Sequence, residues 1–160
     1  QEMLNKPGKV VIAEAAFLYE NLFVRIDLLV KNGSTISIYE VKAKSYSEKD
    51  GDFLNKKGDK IIPKWIPYVY DIAFQNYVIS NTLSSDNYTI KSYLTLVNKQ
   101  KKASISGINQ FFTIEKKGKY TSVITKNGLK RADLGDKLLI DIPVDELCNK
   151  IQNEFKSTYN

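Results

Sequence analysis

Four side chains in the first third of the chain have the types and spacing for metal chemistry. Glu14, Asp27 and Glu40 are carboxylates separated by 13 residues each, and Lys42 follows Glu40 at a spacing of two. Hard divalent ions such as Mg2+ and Mn2+ take oxygen ligands, which carboxylates and water supply. The elements that must position these groups read as three strands, Lys9 to Phe17, Phe23 to Lys31 and Thr35 to Ala43. Turns fall at Glu20-Asn21 and within Asn32-Gly33-Ser34, where Asn-Gly and Gly-Ser are strong two-residue hairpin signals. A Gly33-Ser34 turn pairs Asn32 with Thr35 and sets Asp27 opposite Glu40. An Asn32-Gly33 turn shifts the register by two and leaves both acids on one side. A Glu20-Asn21 turn pairs Tyr19 with Leu22 and sets Glu14 opposite Asp27. The three acids then form a row across three antiparallel strands, with opposed pairs within about 5 Å at Cβ. Lys42 points to the face of Glu40.

Around these acids the strands are apolar without clean alternation, as in Arg25-Ile26-Asp27-Leu28-Leu29-Val30. Near-continuous apolar runs imply strands covered on both faces. Like charges held close together there are costly unless a cation binds between them or one carboxylate takes up a proton. Acids in strands also occur at strand ends in solvent, and the spacing leaves both readings open.

The polar segment from Ser45 to Pro63 reads as a flexible loop. A helix follows from Pro67 to about Leu83, after a proline suited to its first turn. It is apolar around most of its circumference, which predicts burial. One stripe, Lys64, Tyr68, Asp71 and Gln75, is polar. Either this stripe borders the carboxylates and contacts phosphate or a metal-bound water, or it is the one solvent-facing stripe. Tyr88 to Val97 reads as a strand, Asn98 to Lys102 as a basic turn, and Phe111 to Ile114 and Tyr120 to Ile124 as short strands. A last amphipathic helix starts at Pro143, with Val144, Leu147, Cys148, Ile151 and Phe155 on one face and Asp145 and Glu146 in its first turn. This order predicts an α/β or α+β domain around a central sheet.

Composition narrows the chemistry. The chain has 160 residues, one cysteine and no histidine. An internal disulfide, cysteine metal cages, Ser-His and Cys-His pairs and most zinc sites are excluded. Hydrolysis would have to rest on carboxylates, lysine, tyrosine or a metal held by oxygen. The net charge of +6 suits a polyanion such as nucleic acid. All but Arg25 and Arg131 of the 24 basic residues are lysines, however, and the chain is rich in Asn, Ile and Tyr, so AT-rich codons could give the same charge. Lys99, Lys101 and Lys102 crowd one turn and Lys116, Lys117 and Lys119 another, as a nucleic-acid groove or as solvated loop lysines. There is no signal-peptide pattern and no apolar run long enough to cross a bilayer, so no membrane partner and a cytoplasmic location are expected. The chain begins with Gln1, as a fragment of a longer protein would.

Arg25-Ile26-Asp27, twelve residues, then Glu40-Val41-Lys42, resembles the PD-(D/E)XK nuclease superfamily, and in particular RecB-like exonuclease domains, including CRISPR-associated ones. Tyr70-Asp71-Ile72-Ala73-Phe74-Gln75-Asn76-Tyr77 stands where that family has a Gln-bearing helix, and Leu94-Thr95-Leu96-Val97-Asn98 fits the following strand. The chain is also similar to an uncharacterised bacterial family with a RecB-like domain. The resemblance covers about Val10 to Asn98. It implies a restriction-endonuclease-like central mixed sheet flanked by helices, in one domain over 1–160 with its core at about 9–98 and a C-terminal extension at 99–160. It implies Asp27 and Glu40 as ligands of Mg2+ or Mn2+, with Glu14 an added carboxylate. Lys42 would orient the attacking water or stabilise developing charge, Gln75 would support the site from the helix, and DNA would be the substrate. Three departures stand out. The family's helix before the first strand is missing or reduced to Gln1 to Asn5. Ile79 stands where a Tyr usually follows the Gln. The cysteines of iron–sulfur members are absent, which excludes that cluster. Rival expectations are a nucleic-acid-binding module that no longer cuts, and a structural or protein-interaction domain.

Overall fold

Local turn chemistry sets the first half of the molecule. The computed structural model describes residues 2–50 and 53–159. The two ends of the expected 1–160 span, and Gly51 and Asp52 within the expected loop, lie outside the described residues. Strands β1 (Val10–Tyr19), β2 (Leu22–Asn32) and β3 (Thr35–Tyr46) form an antiparallel meander. Tyr19 pairs with Leu22 and Asn32 with Thr35, so the turns are Glu20-Asn21 and Gly33-Ser34. Gly33 has φ +59°, a left-handed conformation that glycine adopts without a Cβ clash.

From β3 the chain crosses through helix α1 (Ile66–Thr82) and returns as β4 (Thr89–Asn98), parallel to β3. Strand β7 (Leu139–Pro143) closes the sheet antiparallel to β4, giving the order β1-β2-β3-β4-β7. Helix α1 packs across the sheet, and α2 (Asp145–Tyr159) packs beside α1 and against β4. The fold is α+β, a five-stranded mixed sheet with two helices. A separate two-stranded ribbon, β5 (Phe112–Lys117) and β6 (Tyr120–Thr125), lies in the excursion between β4 and β7.

One hydrophobic core joins the helices to the sheet, with Ile26, Leu29, Ile36, Ile38, Ile72 and Leu94 fully buried within it. The other sheet face is open, and Val11, Val41 and Val97 on it are exposed. The unbroken apolar run of β2 therefore does not mark two covered faces, as expected from it; the buried side changes along the strand. Buried positions on β2 are Val24 and Ile26, then Leu29 and Lys31, a change of parity at Asp27 and Leu28. On β1 the change falls between Ile12 and Ala15, around Glu14 at φ +55°.

The core also extends past residue 98. Val144, Leu147, Cys148 and Ile151 are buried in the same cluster, so β7 and α2 complete the core after an excursion at 99–138. Pro143, expected to start the last helix, ends edge strand β7, where its missing N–H breaks no interior ladder. Asp145 in the first turn of α2 accepts the Ser92 N–H of β4 at 2.7 Å. The segment read as a loop is partly built: Leu54 bridges Ile61, and buried Phe53 meets Tyr46 and Trp65 at 5.7 and 5.0 Å between ring centroids.

Candidate active site

The meander and the parallel crossover bring β2, β3 and α1 to one point. The β2–β3 ladder runs to Leu28 and Tyr39, and the next step of that register is Asp27 with Glu40. There the Asp27 side chain replaces the backbone, and its Oδ2 accepts the Val41 N–H at 2.8 Å. Glu40 is buried, 5 % exposed, in the middle of β3. Its Oε1 lies 2.5 Å from Lys42 Nζ, and its Oε2 accepts the Gln75 amide at 2.7 Å. Lys42 Nζ also donates to Asp71 Oδ2 at 2.8 Å.

The stripe on α1 faces this cluster rather than running free in solvent. Gln75 is buried on Glu40, and Asp71 is part-exposed on Lys42. Tyr68 sets its ring 5.9 Å from Lys42 Nζ and 4.7 Å from Lys44 Nζ. Lys44 donates to the Lys64 carbonyl at 2.8 Å and also lies over Trp65. Asp71 is the residue that the sequence-based site missed. Its signal was present: it lies four residues before Gln75 on a stripe that had to find partners in a buried helix.

Burial pushes the Glu40 carboxyl above its usual range. Hydrogen bonds from Lys42 and Gln75 oppose this, and the charges of Asp27 and Asp71 add to it. For Lys42, burial works against the ammonium, but the hydrogen bonds and charges of Asp71 and Glu40 outweigh it and raise the pKa overall. Lys42 is therefore a fixed cation at neutral pH.

Glu14 does not join this group. Its left-handed backbone breaks the β1–β2 ladder, which passes from Ala13↔Leu28 to Ala15↔Ile26 without a Glu14–Asp27 step. The Glu14 side chain is 56 % exposed and bonds Arg25 Nε at 2.6 Å. The three-acid row expected from register alone is thus corrected to a pair, Asp27 and Glu40, with Asp71 entering from α1.

No protein-family model, curated protein or solved structure compared with the chain matches it significantly.

The remaining donors limit what ion could be held. Among the described residues no group of three or more Asp, Glu or Cys side chains is placed to hold a metal alone. Mg2+ seldom needs such a cage, since it is commonly held by one or two carboxylates with water and substrate phosphate. A carboxylate offers about four acceptor positions, so Asp27 and Glu40 retain capacity beyond the bonds described. Gln75 Oε1 is buried without a hydrogen-bond partner, an acceptor left over once the amide turns its donor to Glu40. Two mutually repelling acids and a buried spare acceptor fit a hard cation. Among the described residues no helix is long and apolar enough to cross a membrane.

Proposed function

We propose that the chain is a Mg2+- or Mn2+-dependent nuclease that hydrolyses phosphodiester bonds in DNA, on a PD-(D/E)XK-like arrangement. The observation that carries this reading is the clamp on Lys42, which Glu40, buried on β3, and Asp71, exposed on α1, hold beside Asp27. Asp27 and Glu40 would hold the ion. When bound, such an ion polarises a phosphate and lowers the pKa of its water. Gln75 fixes the Glu40 carboxylate by donating to Oε2. Asp71 fixes Lys42, whose preorganised ammonium stabilises negative charge developing on the phosphate oxygens.

A Mn2+ titration by calorimetry on the wild type, Asp27→Ala and Glu40→Ala tests the ion site, followed by cleavage of single- and double-stranded DNA. Binding by the wild type that both substitutions remove, with cleavage lost in parallel, is the expected result. Cleavage unchanged in Asp27→Ala would refute this site. The bond of Glu14 to Arg25, which takes that acid out of the site, favours a second reading, a DNA-binding module that does not cut. Salt-sensitive DNA binding indifferent to Mg2+, with no metal uptake in the millimolar range, would identify it.

A further inference from the structure

The net positive charge of the molecule resides in one piece of it. Residues 99–138, the excursion between β4 and β7, contain ten basic and three acidic side chains, a net +7. The whole chain carries +6, so everything outside the excursion, with 14 basic and 15 acidic residues, sums to −1. Codon bias spreads lysine along a chain and does not account for this segregation.

The excursion springs from a defined place. Its neck is closed by the Asn98 N–H donating to the Leu138 carbonyl at 2.8 Å, and the Lys99 N–H donates to the Tyr46 carbonyl at the end of β3 at 2.9 Å. Glu40 pairs with Leu94, four residues before Asn98 on the parallel neighbour. At a strand rise of about 3.3 Å per residue the neck lies roughly 13 Å beyond Glu40, at the end of the sheet toward which Lys42 and Lys44 also lie.

Within the excursion the β5–β6 ribbon pairs with no other described strand, and every residue of it but Glu115 is exposed. Its tip turns at Gly118-Lys119, with Gly118 at φ +62°. Lys116, Lys117 and Lys119 crowd that tip beside Tyr120, which is 81 % exposed. A lone two-stranded ribbon is marginal in water and gains from a surface to lie on. A ribbon of this width fits the DNA major groove, which is about 12 Å across. Lysines there act as compact point charges on phosphates, and Thr and Tyr hydroxyls bond phosphate and sugar, interactions that position a protein without reading bases.

We propose that the 99–138 excursion is a duplex-DNA grip, with the β5–β6 ribbon in a groove and the tip lysines on backbone phosphates, holding DNA beside the Glu40–Lys42 end of the sheet without regard to sequence. This rests on the proposed function for the identity of the polyanion, but not on cleavage.

The test is fluorescence anisotropy of a short labelled duplex with the full chain in EDTA, over a salt series. The triple variant Lys116→Ala, Lys117→Ala, Lys119→Ala is compared with a body variant of equal charge loss, Lys56→Ala, Lys57→Ala, Lys60→Ala. The tip variant should bind at least about tenfold more weakly and flatten the log–log salt slope by about 2–3, at ~0.9 for each phosphate no longer neutralised. The body variant should keep the wild-type slope, and all three should melt alike because the lysines removed are exposed. Equal losses in the two variants overturn the grip. So does a chain that self-associates through Ile114 and Val123 in sedimentation and binds no duplex. A wild type that shows the tip-dependent binding yet never cuts overturns the proposed function and upholds the grip. One that cuts while tip and body variants bind alike overturns the grip alone.

Discussion

Lys42 sits between two acids of unlike burial, and that asymmetry divides their work. In the proposed reaction Glu40, deep and raised by burial, would hold the ion, whereas Asp71, at the surface, holds the lysine. Asp71→Asn should lower kcat about 10- to 100-fold by loosening Lys42, the range expected when a preorganising interaction is removed. Mn2+ affinity by calorimetry should stay unchanged, and equal loss of both would assign Asp71 to the metal. Lys42→Met removes the strongest influence holding the Glu40 pKa down, so the pH below which Mn2+ binding fails should rise in that variant. Calorimetry at a series of pH values checks it. The sign for stability follows from linkage. A raised folded pKa means that the native state binds the Glu40 proton more tightly than the unfolded chain does. The contribution is therefore full below the ordinary carboxylate value and is lost as pH rises through the folded one. A cation on the ionised form restores what is lost. Mn2+ should thus raise the melting temperature above that window and not below it. At 100-fold excess over Kd the gain is about 2.7 kcal/mol, or roughly 5–10 °C for a domain of this size, lost again in EDTA.

At the scale of elements, the hairpin arithmetic was legible because turn chemistry and the two-residue period are local. Glu20-Asn21 and Gly33-Ser34 set both registers, and Asp27 fell at the level of Glu40 as counted. What register does not contain is backbone conformation at one residue. Glu14 has the right number and the wrong φ, so its carboxylate reaches Arg25 instead of the site. Strand β2 reads as doubly covered because Ile26 and Leu29 are both fully buried across a change of parity. Strand β7 was illegible for another reason: five residues ending in Pro143 resemble a helix start until β4 supplies a partner. The stripe marked Asp71 as a residue in need of a partner, but that the partner is Lys42 depended on how α1 docks. Glu14→Gly should leave Mn2+ binding intact. It should be neutral to stabilising by about 0.5–1 kcal/mol, since relief of a left-handed non-glycine residue offsets an exposed ion pair worth at most ~1 kcal/mol. Urea denaturation measures this, and loss of metal affinity would return Glu14 to the site.

For the molecule as a whole, Cys148 is a reporter of global opening. It is fully buried between α2 and the sheet, and burial pushes its thiol up to about 12. Its reaction with a thiol reagent at mildly alkaline pH should be at least ~10³-fold slower than in the urea-unfolded chain, because opening the core costs most of the folding free energy. Fast labelling in native buffer would mean that α2 detaches on its own. The bonded neck at Asn98 and Leu138 has a different consequence, one for heredity. Forty residues leave the body and return to it one strand pair apart. A single deletion bridged by an Asn-Gly turn would therefore join β4 to β7 as a simple hairpin without touching the core. What such a deletion would change is the sign of the molecule, from +6 to about −1, turning a basic protein weakly acidic.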